Sequence, residues 1–301
     1  MTETVLITGA SGLVGRHLSA LLTQEGYLVR TLSRDPAGPS HFHWDPAKGT
    51  MDAEALSGAD HIVHLAGTGI GDKAWSEKRK AEILQSRVCG TELLFQTCRS
   101  IGMLPKTFLT ASAVGYYGSA PSGKRFTESD GAGQGFLASV CEQWERAALL
   151  FEEAGVRTVR MRTGLVLANN GGILPQTALP VRMGLGTAFG NGKQVLPWIH
   201  LYDLGQLYLE ALRQSTWSGA FNAVAPKPVN NKVFTKELAR LFHKPFWPVS
   251  VPGFLVKALL GERSELLLQG NDVRSERLSE LTFNFRFETL EKALQDLYPN
   301  G

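Results

Sequence analysis

Near the start of the chain, Thr8-Gly9-Ala10-Ser11-Gly12-Leu13-Val14-Gly15 sets three glycines at three-residue spacing. The run follows the apolar stretch Thr4–Thr8 and opens the helical pattern Leu13–Glu25, so it lies between a strand and a helix. That setting gives each glycine a task. Gly9 permits a tight exit from the strand, Gly12 clears the backbone for a pyrophosphate, and Gly15 lets the helix lie close to the sheet. The free N–H groups and positive end of the helix then face phosphate oxygens. The chemistry predicted is dinucleotide binding. The next strand ends in Leu32-Ser33-Arg34. An acid at this strand end binds a ribose 2′-hydroxyl, whereas an arginine suits a 2′-phosphate. Ser33 stands where the acid is expected and Arg34 follows, which favours NADP over NAD. Asp35 leaves a second option, because it could pair with Arg34 or serve the ribose.

The elements that position these groups follow from apolar patterning. Thr4–Thr8, Leu28–Leu32, His61–Leu65, Thr107–Ala111 and Val156–Arg162 read as buried strands. Leu13–Glu25, Ser76–Ser100 and Phe136–Ala154 between them repeat apolar residues at helical spacing. Alternation of strand and helix predicts an α/β fold, a Rossmann-type doubly wound parallel sheet. Residues 164–200, rich in Gly, Pro and Asn, are expected to loop over the carboxyl edge of the sheet. Asp203–Arg213 reads as a helix capped by Asp203, and Phe221–Val224 as a short strand. Lys232–Phe242, Gly253–Leu260 and Glu288–Leu297 are helical. The expected division is a nucleotide-binding domain over 1–228 and a small, mainly helical C-terminal domain over 229–301, with a cleft between them.

Bulk properties narrow the partners. The 301 residues are 43% apolar and 20% charged, with a net charge of +3. These are ordinary values for a protein with a packed core. The strongest basic cluster, Lys78-Arg79-Lys80, is interleaved with Glu77 and Glu82 and reads as a solvated helix face, so nucleic acid is not expected as a partner. No run is long enough for a membrane span, and no secretory signal is visible. Cys89, Cys98 and Cys141 have no metal-ligand spacing, so no metal is expected. An odd cysteine count with no disulfide framework fits a reducing cytoplasm.

Together these stretches resemble the extended and atypical short-chain dehydrogenases/reductases. Thr8–Gly15 resembles their glycine turn, and His64-Leu65-Ala66-Gly67 the loop that follows their fourth strand. More narrowly, Ser112–Gly118, Arg162–Leu167, Gly171-Gly172, Gly190–Gln194 and Pro197–His200 resemble a sugar-nucleotide-epimerase-like family with a characteristic C-terminal domain, which Gly270–Leu294 resembles in turn. The resemblance implies that Thr8, Gly9, Ser11, Gly12, Leu13 and Val14 hold the pyrophosphate, with Gly15 behind them. It implies that Ser33 and Arg34 hold the 2′-phosphate and that Leu65 and Ala66 line the adenosine. Glu82 and Arg87 match cofactor contacts, and Val166 meets the nicotinamide half.

One part of the family pattern is absent. Dehydrogenases of this superfamily carry a Tyr and, four residues later, a Lys on the helix that here spans 136–154. The Lys lowers the Tyr pKa so that the phenol can transfer a proton. Leu137 and Cys141 stand at those places. Ser112 fits the serine that orients the substrate oxygen. The acid–base role then falls to Tyr117 as the best remaining candidate, with Tyr116, Glu128, His200 and Gln194 as others. Two functions are open. One is an NADP-dependent epimerase or reductase acting on a small-molecule substrate such as a sugar nucleotide. The other is a non-catalytic NADP(H)-responsive binding protein. Neither the substrate nor the oligomeric state is indicated.

Overall fold

The computed structural model describes residues 2–119 and 124–300. Its centre is an eight-stranded sheet. From one edge to the other the strands are Gly219–Ala223, Arg157–Thr163, Thr107–Ala113, His61–His64, Thr4–Thr8, Leu28–Ser33, His41–Asp45 and Thr50–Met51. All neighbouring pairs are parallel except the last, which is antiparallel.

All five residues of Thr4–Thr8 are buried, as expected for a central parallel strand covered on both faces. Alternate side chains enter different cores. Val5 and Ile7 join Val63, Leu109 and Met161 beneath helices Leu13–Gln24 and Leu201–Arg213. Leu6 joins Ile62 and Phe108 beneath helices Glu77–Ser100 and Phe136–Glu153. This two-sided burial produces the doubly wound architecture that the alternation predicts, and the main strands and helices fall within two residues of their expected bounds.

Residues 164–200 are more ordered than the loops expected there. Leu165–Leu167 pairs in parallel with Trp198–His200, and Gly186–Phe189 with Phe246–Val251. Helix Leu174–Arg182 starts with a proline in its first turn, where a missing N–H costs nothing, and contains Pro180 as well. This segment supplies Leu174, Ala178, Val181 and Trp198 to a separate core shared with Phe234, Leu238, Leu290 and Leu294 from helices Asn231–Leu241 and Leu290–Leu297. The C-terminal lobe is helical in the main, with the strand Phe246–Val251 added.

Candidate functional site

The glycine turn has the geometry its spacing predicts. Gly9 has φ +71°, and a Cβ there would lie 2.8 Å from the Ala66 nitrogen. A Cβ on Gly15 would lie 2.2 Å from the Gly9 carbonyl oxygen. Both positions exclude any side chain. Gly12 has an ordinary φ of −73° and forms the N-cap of helix Leu13–Gln24, with no side-chain cap and no acid in the first turn. The first-turn N–H groups are thus left to an anion.

Thr8 joins this turn to strand His61–His64 and the loop after it. Its hydroxyl accepts from the Ala66 N–H at 3.2 Å and lies 2.7 Å from His64 Nδ1. Burial pushes His64 down to about 3, so the ring is a neutral structural partner. Leu65, Val14 and Val166 gather at the top of the core around Thr4–Thr8. The 171–172 loop packs on the same corner: a Cβ on Gly172 would lie 3.4 Å from both the Leu13 side chain and the Val166 carbonyl oxygen.

The other expected cofactor residues line the same edge. Ser33 Oγ accepts from the Asp35 N–H at 3.2 Å. Arg34 is exposed, and among the described residues it forms no ion pair, with Asp35 or any other acid. Its charge is available to a phosphate. Helix Glu77–Ser100 fixes the loop after His64. Arg79 donates to the Gly69 carbonyl at 2.7 Å and pairs with Glu82 at 3.2 Å. Arg87 Nη1 donates to the Thr68 and Ile83 carbonyls, each at 3.0 Å.

Ser112 and Tyr117 lie together, in a closed network. Ser112 donates to Glu145 Oε1 at 2.7 Å. Arg162, opposite Ser112 on the adjacent strand, grips both oxygens of Glu145 at 2.8 and 2.9 Å. It also donates to the Tyr117 hydroxyl at 3.0 Å. That hydroxyl donates in turn toward Asn222 Oδ1 at 2.7 Å, with the Thr127 carbonyl at 2.9 Å. Tyr117 is 1% exposed, and burial pushes its phenol up to about 12 against the pull of Arg162. The proton of this phenol is committed to Asn222, and its burial leaves a substrate no approach to the oxygen. The arrangement speaks against Tyr117 as the proton-transfer group and gives Ser112 a structural bond.

The other acid–base candidates are occupied too. Glu128 accepts from Asn222 N–H, the Ser275 hydroxyl and Glu276 N–H, which ties the C-terminal segment to the sheet. Gln194 donates to the Phe189 and Leu267 carbonyls. His200, not Asp203, caps helix Leu201–Arg213, its Nδ1 accepting from the Tyr202 N–H at 3.1 Å. Asp203 instead accepts from the Arg286 and Phe287 N–H groups. Tyr116 lies beneath the Arg162 guanidinium, 3.6 Å from its ring centroid.

Leu137 and Cys141 flank Gly115, where a Cβ would sit 3.4 Å from Leu137 and 3.8 Å from the Cys141 sulfur. Burial pushes the Cys141 thiol up to about 12. Neither residue moves a proton near neutral pH. Among the described residues no cluster of three or more potential metal ligands occurs.

Sequence reasoning missed Glu145, Arg162 and Asn222. A signal was present: Arg162 interrupts the buried strand Arg157–Thr163, and a charge there requires a partner.

The geometry has counterparts among known proteins. Residues 5–223 match the model of the NAD dependent epimerase/dehydratase family, and residues 251–297 match a domain of unknown function, DUF1731. The chain is 38% identical over 292 residues to epimerase family protein ML0860 of Mycobacterium leprae, covering 96% of this chain and 94% of that one. The crystal structure of human epimerase family protein SDR39U1 (isoform 2) with NADPH is similar at a TM-score of 0.88 and 31% identity, covering 99% of this chain and 100% of that one. UDP-glucose 4-epimerase of Thermotoga maritima, solved with UDP-glucose, has a TM-score of 0.77 at 17% identity, covering 98% of each chain, a likeness of fold alone. No helix among the described residues is long and apolar enough to cross a membrane.

Proposed function

The chain belongs to the NAD dependent epimerase/dehydratase family, and from that premise we propose that it is an NADP(H)-binding reductase for a small carbonyl compound. One observation carries this reading. A complete dinucleotide cradle, with an unpaired Arg34 at its 2′-phosphate end, adjoins a helix whose proton-transfer places hold Leu137 and Cys141.

Bound in this cradle, NADPH would supply a hydride. The first-turn N–H groups of Leu13–Gln24 hold the pyrophosphate, Arg34 holds the 2′-phosphate, and Leu65 and Val166 exclude water around the rings. Reduction adds the hydride and its electron pair to the carbonyl carbon, and the oxygen takes its proton from water. Epimerisation begins by removing a proton from an alcohol, and these side chains offer no base for that step. Epimerisation needs this hydride transfer and its reverse on the opposite face, so a site without a side-chain acid or base suits the single transfer of a reduction better. Sugar nucleotides carrying a keto group and simple aldehydes or ketones are the substrate classes to test.

A non-catalytic, NADP(H)-responsive protein is the second reading. It is favoured by the engagement of Tyr117, Glu128, Gln194 and His200 in structural bonds. The experiment is a carbonyl screen with NADPH deuterated at C4, read by mass spectrometry of the alcohol. Label in a product supports the reductase. Tight NADPH binding with no label transferred across both classes supports the responsive protein.

A further inference from the structure

Exposed apolar side chains gather in one region of the molecule. Among the described residues fourteen large apolar side chains are exposed, and eight of them lie on three neighbouring stretches. Leu179 and Met183 are one turn apart at the end of helix Leu174–Arg182, and Leu185 follows. Trp247 of strand Phe246–Val251 lies across that turn, its indole N–H donating to the Gly184 carbonyl at 2.8 Å. Val249 continues the strand, and the chain then enters helix Gly253–Leu260 with Phe254, Leu255 and Leu259.

This helix is apolar at six of its eight residues, yet only Val256 is buried. A helix this short does not hold in water by itself and depends on packing. The eight side chains are 44% to 81% exposed, which leaves roughly 800–1,000 Å² of largely apolar surface open. That exceeds the largest patch of a typical monomer, about 300–600 Å². It matches the roughly 800 Å² that each partner gives to a stable interface.

The borders of this surface suit a second copy of the same chain. A groove of about 430 Å³ runs beside the helix, lined by Asn191, Phe254, Lys257, Glu265 and Gln269 among others. Among the described residues neither Lys257 nor Glu265 forms an ion pair. A twofold axis brings the cation of one copy to the acid of the other, because the same patch serves both sides. A lipid surface calls instead for an excess of cations around the apolar face. Pro248 lacks an N–H, so strand Phe246–Val251 is a poor edge for strand addition and the contact is made by side chains.

We propose that this face is the interface of a twofold homodimer, in which helix Gly253–Leu260 of each copy packs on the other and Lys257 meets Glu265 across the axis. The symmetry closes the assembly at two copies.

The test is sedimentation velocity of the full chain from about 1 to 100 µM, the range of a moderate affinity. The wild type should sediment at twice the chain's mass and dissociate on dilution. Leu259→Glu and Val249→Glu, each on an exposed position, should weaken association by about tenfold or more. Met103→Glu, exposed in the loop before strand Thr107–Ala113, should leave it unchanged. Lys257→Glu and Glu265→Lys should each weaken it about fivefold, and the double exchange Lys257→Glu/Glu265→Lys should restore it. A wild type that stays monomeric throughout overturns the proposal. So does a dimer that survives both Leu259→Glu and Val249→Glu, since another face then forms it. An exchange that restores nothing overturns the twofold arrangement. Flotation of a monomeric wild type with vesicles of phosphatidylglycerol and phosphatidylcholine would assign the face to lipid instead.

Discussion

Arg34 and Glu145 are both charged residues at the carboxyl edge, and the environment gives them opposite duties. Arg34 is exposed and unpaired, so its value is to a ligand. Arg34→Ala should weaken NADPH binding by about 1.5–3 kcal/mol, the worth of a charge-assisted bond, and leave NADH binding nearly unchanged. Titration of both cofactors checks this, and an equal loss for each would remove the 2′-phosphate assignment. Glu145 is buried, and its value is to the fold. It is the acceptor for Ser112 and for both arms of Arg162. Glu145→Ala would strand the Arg162 guanidinium, which burial disfavours and Glu145 sustains. Such a loss should cost about 3–5 kcal/mol in urea unfolding at neutral pH. These two duties also mark what could be read from sequence. Thr8, Gly9, Gly12 and Gly15 act on each other within eight residues, so their spacing was enough. The network of Ser112, Glu145, Arg162, Tyr117 and Asn222 joins residues 33, 17, 45 and 105 apart. Only the sheet register and the helix above it create those contacts, and for that reason Tyr117 was expected to have a free hydroxyl.

The strand–turn–helix unit from Thr4 to Gln24 shows how an element can separate fold from binding. A side chain on Gly15 would strike the Gly9 carbonyl and prise the helix from the strand. One on Gly12 would meet the same oxygen only at 3.2 Å, with no conflict of φ. Gly12→Val should therefore keep a cooperative unfolding transition and lose NADPH, because its methyls fill the pyrophosphate's place. Gly15→Val should unfold the unit itself. Thermal melts run with and without NADPH distinguish the two, and normal NADPH stabilisation of Gly12→Val would move the phosphates elsewhere. Elements with a uniform apolar run were legible for the same reason that this unit was. His41–Asp45 has no such run: only Phe42 and Trp44 are apolar, alternating with His41, His43 and Asp45 in a stretch too short to stand out. Phe246–Val251 contains Pro248, and helix Leu174–Arg182 contains two prolines. Local sequence argues against each, and the tertiary core that overrides it is assembled from distant segments.

At the scale of the molecule, folding stability should decline as the solution is acidified, through buried imidazoles. His64 is fully buried among Trp44, Phe108 and Trp144, and His200 is 4% exposed, tilted against Phe287 at 3.9 Å between ring centroids. Burial pushes His64 down to about 3 and His200 to about 4, the latter despite Asp296 nearby. Both lie below the ordinary value of 6.5, so the unfolded chain takes up these protons first. The stability they contribute is complete above pH 6.5 and is lost as the pH falls through the folded values. Each ring should remove about 1.4 kcal/mol per pH unit within that window. Carboxylates confound this little above pH 5. Glu3, Asp60 and Asp130 are held below their ordinary values, so their loss comes at lower pH. Asp203, raised by burial, contributes with the opposite sign. Urea unfolding at pH 7.5, 6.0 and 5.0 measures the slope. His200→Asn keeps an N-cap acceptor for Tyr202 and removes one titrating ring. It should flatten the slope between pH 6.0 and 5.0, by less than half because burial lowers His17 and His61 as well. A wild-type stability that is level from pH 7.5 to 5.0, or a variant with the wild-type slope, would show that these imidazoles are not buried as neutral rings.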